Sequence, residues 1–219
     1  GLAAINTGLL GDGRQVLGFI ASAPFDEVQI RISQTIAGVD IGITNIYGLI
    51  LKKFCAGPEP VCNVPTPVRT GFEDPTLNHP VIINSERTGI NILGCIGCNL
   101  NNTGAIIDSD PNTYATLTLP GNLGGTAEIS VLNGFEPYPA GTYAGFKLKN
   151  NSIIDAGLLG GGITVRTYLA GVLQDSIPAG DPALVKVSST LLGGNDDEVQ
   201  TIGFITTQDF DEVVLVFTK

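Results

Sequence analysis

Short apolar runs of period two, interrupted every few residues by Gly, Pro, Ser or Asn, make up most of this chain. Successive side chains of a strand face opposite sides of a sheet, so this alternation predicts half-buried β-strands rather than amphipathic helices. Strands are predicted over Gln15–Ile20, Glu27–Ile32 and Val39–Leu51, and again over Ala115–Leu119, Ala127–Leu132, Ala144–Lys149, Ile163–Tyr168, Leu184–Ser188, Val199–Ile205 and Glu212–Phe217. Between the two groups, residues 55–84 hold six of the thirteen prolines: Pro58, Pro60, Pro65, Pro67, Pro75 and Pro80. Proline removes a backbone donor and biases the preceding residue toward extended shapes, which predicts a semi-rigid linker. Fully extended, it would reach about 100 Å. Evenly spaced short strands predict an all-β chain, an antiparallel, jelly-roll-like β-sandwich.

The segment Gln15–Ile32 (QVLGFIASAPFDEVQIRI) recurs as Gln200–Phe217 (QTIGFITTQDFDEVVLVF), identical at eight of eighteen positions without a gap and offset by 185 residues. A period this long implies that each repeat is a domain in its own right and that the parent is an array of such domains. Three parts follow: 1–54 as the C-terminal strands of a preceding repeat, 55–84 as the Pro-rich linker, and 85–219 as a sandwich module lacking its own last strand. The missing strand is expected from Val39–Leu51, with Val39, Ile41, Ile43, Ile46, Tyr47, Leu49 and Leu51 as the interaction strand. An unfilled sheet edge is a template for pairing, and a neighbouring repeat is a natural donor. The start at Gly1 without Met suits a mature or excised piece.

Twenty-nine glycines, no Met, no Trp, 15% charged and 43% apolar residues describe many turns around a sufficient core. The net charge of −10 repels phosphate backbones and no basic run offsets it, which argues against a nucleic-acid partner. No apolar run reaches the roughly 18 residues needed for a membrane span. Four cysteines, Cys55, Cys62, Cys95 and Cys98, favour disulfides of a secreted protein, local pairing being simplest. The rival is a zinc site, because Cys95-Ile-Gly-Cys98 has knuckle spacing, although Cys55 and Cys62 stand too far apart to form the second knuckle.

Asp108, Asp110 and Asn112 alternate as oxygen donors do in calcium loops, with Pro111 stiffening the turn, and make calcium the one candidate cofactor. The alternative is an Asx-turn, in which the same side chains satisfy local amides. Asn195-Asp-Asp-Glu198 reads as a solvated hairpin tip. The paired carboxylates Asp26-Glu27 and Asp211-Glu212 recur in both copies, but adjacent strand residues point to opposite faces and cannot converge on one atom. His79 is the only histidine and lies in the proline-rich stretch, away from any nucleophile pairing. The Gly124-Gly125, Gly160–Gly162 and Gly193-Gly194 clusters do not lead from strand to helix, so they read as turns and not as phosphate cradles.

The acidic loop Asp108-Ser-Asp-Pro-Asn-Thr-Tyr-Ala-Thr116 resembles that of galactose-binding-like, or discoidin-like, jelly rolls, with Ala115 where that group carries Trp. More closely, Ile107–Leu117, Tyr138–Phe146, Ile163–Gln174, Gly203–Val213 and Asn45-Ile-Tyr-Gly48 look like modules of giant repetitive surface adhesins of gliding Bacteroidota. That resemblance implies secretion, cell-surface attachment and adhesion during gliding motility. The expected function is therefore a non-enzymatic structural and adhesive repeat whose partners are neighbouring copies of the same repeat. The alternative is a carbohydrate-binding module for surface polysaccharide, using Tyr114, Tyr138, Tyr143 or Tyr168 as a stacking platform.

Overall fold

A computed structural model describes residues 18–21, 23–31, 45–62, 64–92, 96–120, 124–149, 162–188 and 199–218. Among them the chain forms β1 (Val81–Ile83), β2 (Gly89–Asn91), β3 (Asn99–Asn101), β4 (Thr116–Thr118), β5 (Thr126–Asn133), β6 (Tyr143–Lys149), β7 (Ile163–Leu169), β8 (Val172–Pro178), β9 (Val185–Ser188), β10 (Val199–Ile205) and β11 (Glu212–Thr218). Three short 3₁₀ turns and no α-helix accompany them among these residues. All pairings are antiparallel.

One sheet runs β1-β5-β11-β7-β8, with β2 also paired to β5, and a second runs β6-β10-β9. Ile129, Ile163, Val165 and Leu215 of the first meet Ile202 and Phe204 of the second in one buried cluster, which Phe146, Leu148, Val213 and Phe217 extend. The two sheets thus face each other across a shared core, as the alternating pattern requires. At the centre of the first sheet lies β11, its Glu-Val-Val-Leu-Val-Phe-Thr run rich in branched side chains that suit a pleated surface buried on both sides.

Most of the sequence-based strands from 115 onward fall within a residue or two of the observed ones. The unforeseen β8 closes on β7 through Ala170 and Gly171, with φ of 49° and 80°. A two-residue turn with both central residues left-handed normally carries Asn-Gly, so Ala170 hid the hairpin. The turn is held by Asp211, whose Oδ2 accepts the Ala170 N–H at 2.8 Å.

The stretch 55–84 is only partly a linker. Val81–Ile83 pairs with β5, and Val81 and Ile83 join Ile107, Val68 and Val131 in a second apolar cluster. Thr70 and His79 are also buried: His79 N donates to Arg69 O at 2.7 Å and Thr70 N to Ile107 O at 2.6 Å. Proline marks where regular pairing fails, not where packing fails, and Pro80 sits just ahead of β1.

Burial holds the His79 imidazole below its ordinary 6.5. The unfolded chain therefore takes up the proton first, so stability is full above that value and falls as pH drops through it. His79→Gln should flatten this part of the pH dependence of Tm; an unchanged slope would place the acid sensitivity elsewhere.

The strands predicted before residue 52 are corrected where they fall on described residues; 15–17, 32 and 39–44 lie outside these. Among the described residues 18–21, 23–31 and 45–51 there is no strand. A lone segment exposes its backbone groups on both edges and gains nothing from alternation until a neighbouring strand is present.

Candidate functional site

The calcium candidate is built around a guanidinium. Asp108 Oδ1 accepts from Asp110 N at 3.1 Å and Asp110 Oδ1 from Asn112 N at 2.9 Å, two successive Asx-turns. Arg69 Nη1 then donates to the carbonyls of Asp108 and Asp110, both at 2.8 Å, and stands 3.3 Å from Asp108 Oδ1. Thr113 Oγ1 adds contacts of 2.7 Å to Asp108 Oδ1 and 2.8 Å to Asp110 O. The carbonyls of Asp108 and Asp110 and the Oδ1 atoms of both side chains are taken by Arg69, Thr113 and the loop's own amides. Among the described residues no three His, Cys, Asp or Glu side chains gather as a metal site. Asn195–Glu198 lies outside those residues.

Arg69→Ala should cost about 1–3 kcal/mol in urea unfolding, because two carbonyls lose a charged donor. Calcium titrated into the chelator-treated parent should give no heat, whereas saturable heat would return the metal reading.

Cys55 and Cys62 are free and exposed, so the expected local disulfide between them is not formed. Residues 56–61 between them take no regular structure that would close the loop, and Pro58 and Pro60 restrict how tightly it can turn. Cys98 is disulfide-bonded, which removes it as a zinc thiolate; Cys95 lies outside the described residues. Both linker thiols should react with a thiol reagent in the native protein without reductant. Absence of that reaction would show the linker pair oxidised.

The paired carboxylates diverge as strand geometry demands. Asp211 turns to Ala170, whereas Glu212, 1% exposed, enters a cradle of side chains on the opposite face. Its Oε1 accepts from Asn84 Nδ2 at 2.6 Å and from Ser130 Oγ, and its Oε2 meets Arg87 Nη1 at 2.8 Å. Arg87 also donates to Gly171 O at 3.0 Å and lies 4.2 Å over the Tyr168 ring. Asp175 is similarly enclosed, accepting from Thr207 N at 3.1 Å and from the Thr207 hydroxyl. Glu212 and Asp175 are thus answered by donors on both oxygens, whereas the buried Oδ1 of Asp211 has no hydrogen-bond partner. The sequence flagged Asp211-Glu212 but carried no signal that Asn84, Arg87 and Ser130 would surround it.

An open groove of about 270 Å³ between Ser85, Thr88, Asn99 and Thr103 contains neither acid nor imidazole. Of the proposed sugar platform, Tyr138 stacks on Phe210 with centroids 5.4 Å apart and Tyr168 lies under Arg87. Tyr114 and Tyr143 remain exposed.

The other exposed feature is apolar. Ile46, Tyr47, Leu49, Ile50 and Leu51, of the expected interaction strand and its neighbour, are 65–71% exposed in extended chain; Val39, Ile41 and Ile43 lie outside the described residues. They do not complete a sheet of this chain, which corrects the intramolecular form of that expectation. Just beyond, Lys52 Nζ donates to Thr70 Oγ1 at 3.0 Å, and a Cβ at Gly134 would touch Phe54 and Ile20, so the segment is anchored at its end. No protein family, no curated protein and no solved structure matches this chain.

Proposed function

We propose that the chain is a non-enzymatic structural and adhesive repeat of a secreted cell-surface protein, joined to neighbouring copies by strand complementation. One observation carries this reading. Two copies of one sequence exist in different states: Phe204, Phe210 and Leu215 are at most 2% exposed, whereas their counterparts Phe19, Phe25 and Ile30 are 44–59% exposed. The same side chains should not be core in one place and surface in another unless the second place awaits a partner.

The extended run Ile46–Leu51 then acts as donor, its apolar side chains alternating with the backbone groups that a sheet edge pairs. Among the described residues β6 and β8 each pair on one side only, so edges suited to receive it exist on the same module. Lys147 and Lys149 on β6 discourage indiscriminate pairing there. Glu212 and Asp175, both oxygens of each engaged by donors, support a structural role for these acids. Adhesion at the cell surface of a gliding bacterium rests on the resemblance of 107–117, 138–146, 163–174 and 203–213 to surface-adhesin modules.

The test is mass in solution at two concentrations for the full chain and for residues 55–219. The full chain is expected to associate as concentration rises while the shorter one stays folded and monomeric. Two monomers at every concentration would remove strand donation, and saturable binding on a glycan array would favour the carbohydrate alternative instead.

A further inference from the structure

We propose that Gln15–Ile32 is a second copy of the β10–β11 hairpin, and that it is built to enter a sandwich of this design whose own hairpin slot is open, in the register shown by Gln200–Phe217. The inference rests on the array reading above but concerns a different segment from the donor strand.

The residues retained between the copies carry the argument, because their contacts in the seated copy lie far away in sequence. Gly203 faces Gly145 across the β6–β10 pair, where any Cβ would strike Ala144 O; its counterpart is Gly18. Phe210 stacks on Tyr138; its counterpart is Phe25. Asp211 holds the left-handed Ala170 turn; its counterpart is Asp26. Glu212 fills the Asn84, Ser130 and Arg87 cradle; its counterpart is Glu27. In the described part of the first copy, Phe25, Asp26, Glu27 and Val28 are exposed and form no strand. A glycine, an aromatic ring and two acids kept in this order have no use on an open surface. They specify an acceptor with a close-approaching strand, an aromatic neighbour, a β-turn amide and a polar cradle with one cation. This module supplies all four.

The remaining differences divide between the two faces of the strand. Val28, Ile30 and Ile32 take the positions of Val213, Leu215 and Phe217, which face the core, whereas Gln29 and Arg31 take those of Val214 and Val216, which are 0% exposed on the other face of the sheet. Ser22 keeps the hydroxyl of Thr207, which binds Asp175. The first copy is therefore apolar on its core face and polar on the other, which calls for an acceptor whose other face is less covered than it is around Val214 and Val216 here.

Transplantation in the full chain tests this. Gln200–Phe217 is replaced by the sequence of Gln15–Ile32, and a second variant makes the same replacement but retains Val214 and Val216. At least one is expected to unfold cooperatively with Tm lowered by no more than about 10 °C, with slow amide exchange across β10 and β11. Within it, Ala in place of the transplanted glutamate should lower Tm as much as Glu212→Ala does in the parent. If neither variant folds, or if the transplanted glutamate proves replaceable without loss, the proposal is overturned. A folded transplant beside a monomeric full chain would retire the Ile46–Leu51 donor and leave this inference standing; unfolded transplants beside a self-associating chain would do the reverse.

Discussion

Glu212→Ala is expected to destabilise the protein by about 3–5 kcal/mol, a fall in Tm of about 10 °C or more for a chain of this size. The carboxylate is almost fully enclosed, and its removal strands Arg87, Asn84 and Ser130 together. Little water reaches Asn84 and Ser130 to replace it, as both are buried. Most of the loss is thus the cost of donors left without an acceptor, not the intrinsic worth of one ion pair. Arg87 is a quarter exposed and also bonds Gly171 O, so Arg87→Ala should cost less. The double variant should then show a coupling of about 1–3 kcal/mol by chemical unfolding. The counterpart Glu27→Ala, on an exposed strandless segment, should stay within about 0.5 kcal/mol of the parent. Equal losses at the two sites would mean that the first copy is seated in this chain after all.

Gly203→Ala is the second large effect, about 3 kcal/mol or more. Gly203 and Gly145 are direct cross-strand partners, and an added methyl would clash with the Ala144 carbonyl and lie 2.6 Å from Gly145 Cα. The obstructing atoms are backbone, so β6 must separate from β10, exposing Ile202 and Phe204 on the inner face. Gly141→Ala is the control: φ there is +85° but nothing lies within 4 Å, so only backbone strain of about 1–2 kcal/mol is expected. If the two alanine variants unfold at the same denaturant concentration, close strand approach is not what the Gly203–Gly145 pair provides.

Much of the sandwich could be read directly from alternation. The runs at 127–132, 163–168, 199–205 and 212–217 are apolar at most of the positions that became buried, Ser130, Thr167, Thr201 and Glu212 being the polar exceptions, and no competing helical stripe runs through them. The short strands β1, β2 and β3 could not be read so, since three residues contain too little pattern to show a period. Arg69 was equally invisible. It lies 39 residues from Asp108, in a stretch that proline content marks as linker, and only folding brings its guanidinium into the acidic loop. The cysteines divided for a related reason: spacing suggests a bond, but the path of the chain between Cys55 and Cys62 sets whether the two thiols can meet.

By itself, then, the sequence determined that this is a chain of antiparallel strands, that Gln15–Ile32 and Gln200–Phe217 share one design, and that Asp211 and Glu212 must face apart, because all three follow from local periodicity. Tertiary structure alone decided which copy becomes a strand pair, which cation fills the loop at Asp108, and what encloses Glu212. Alternation fixes the faces a segment would present, but backbone pairing and burial require partner strands, and only the second copy finds β5, β6 and β7 beside it among the described residues.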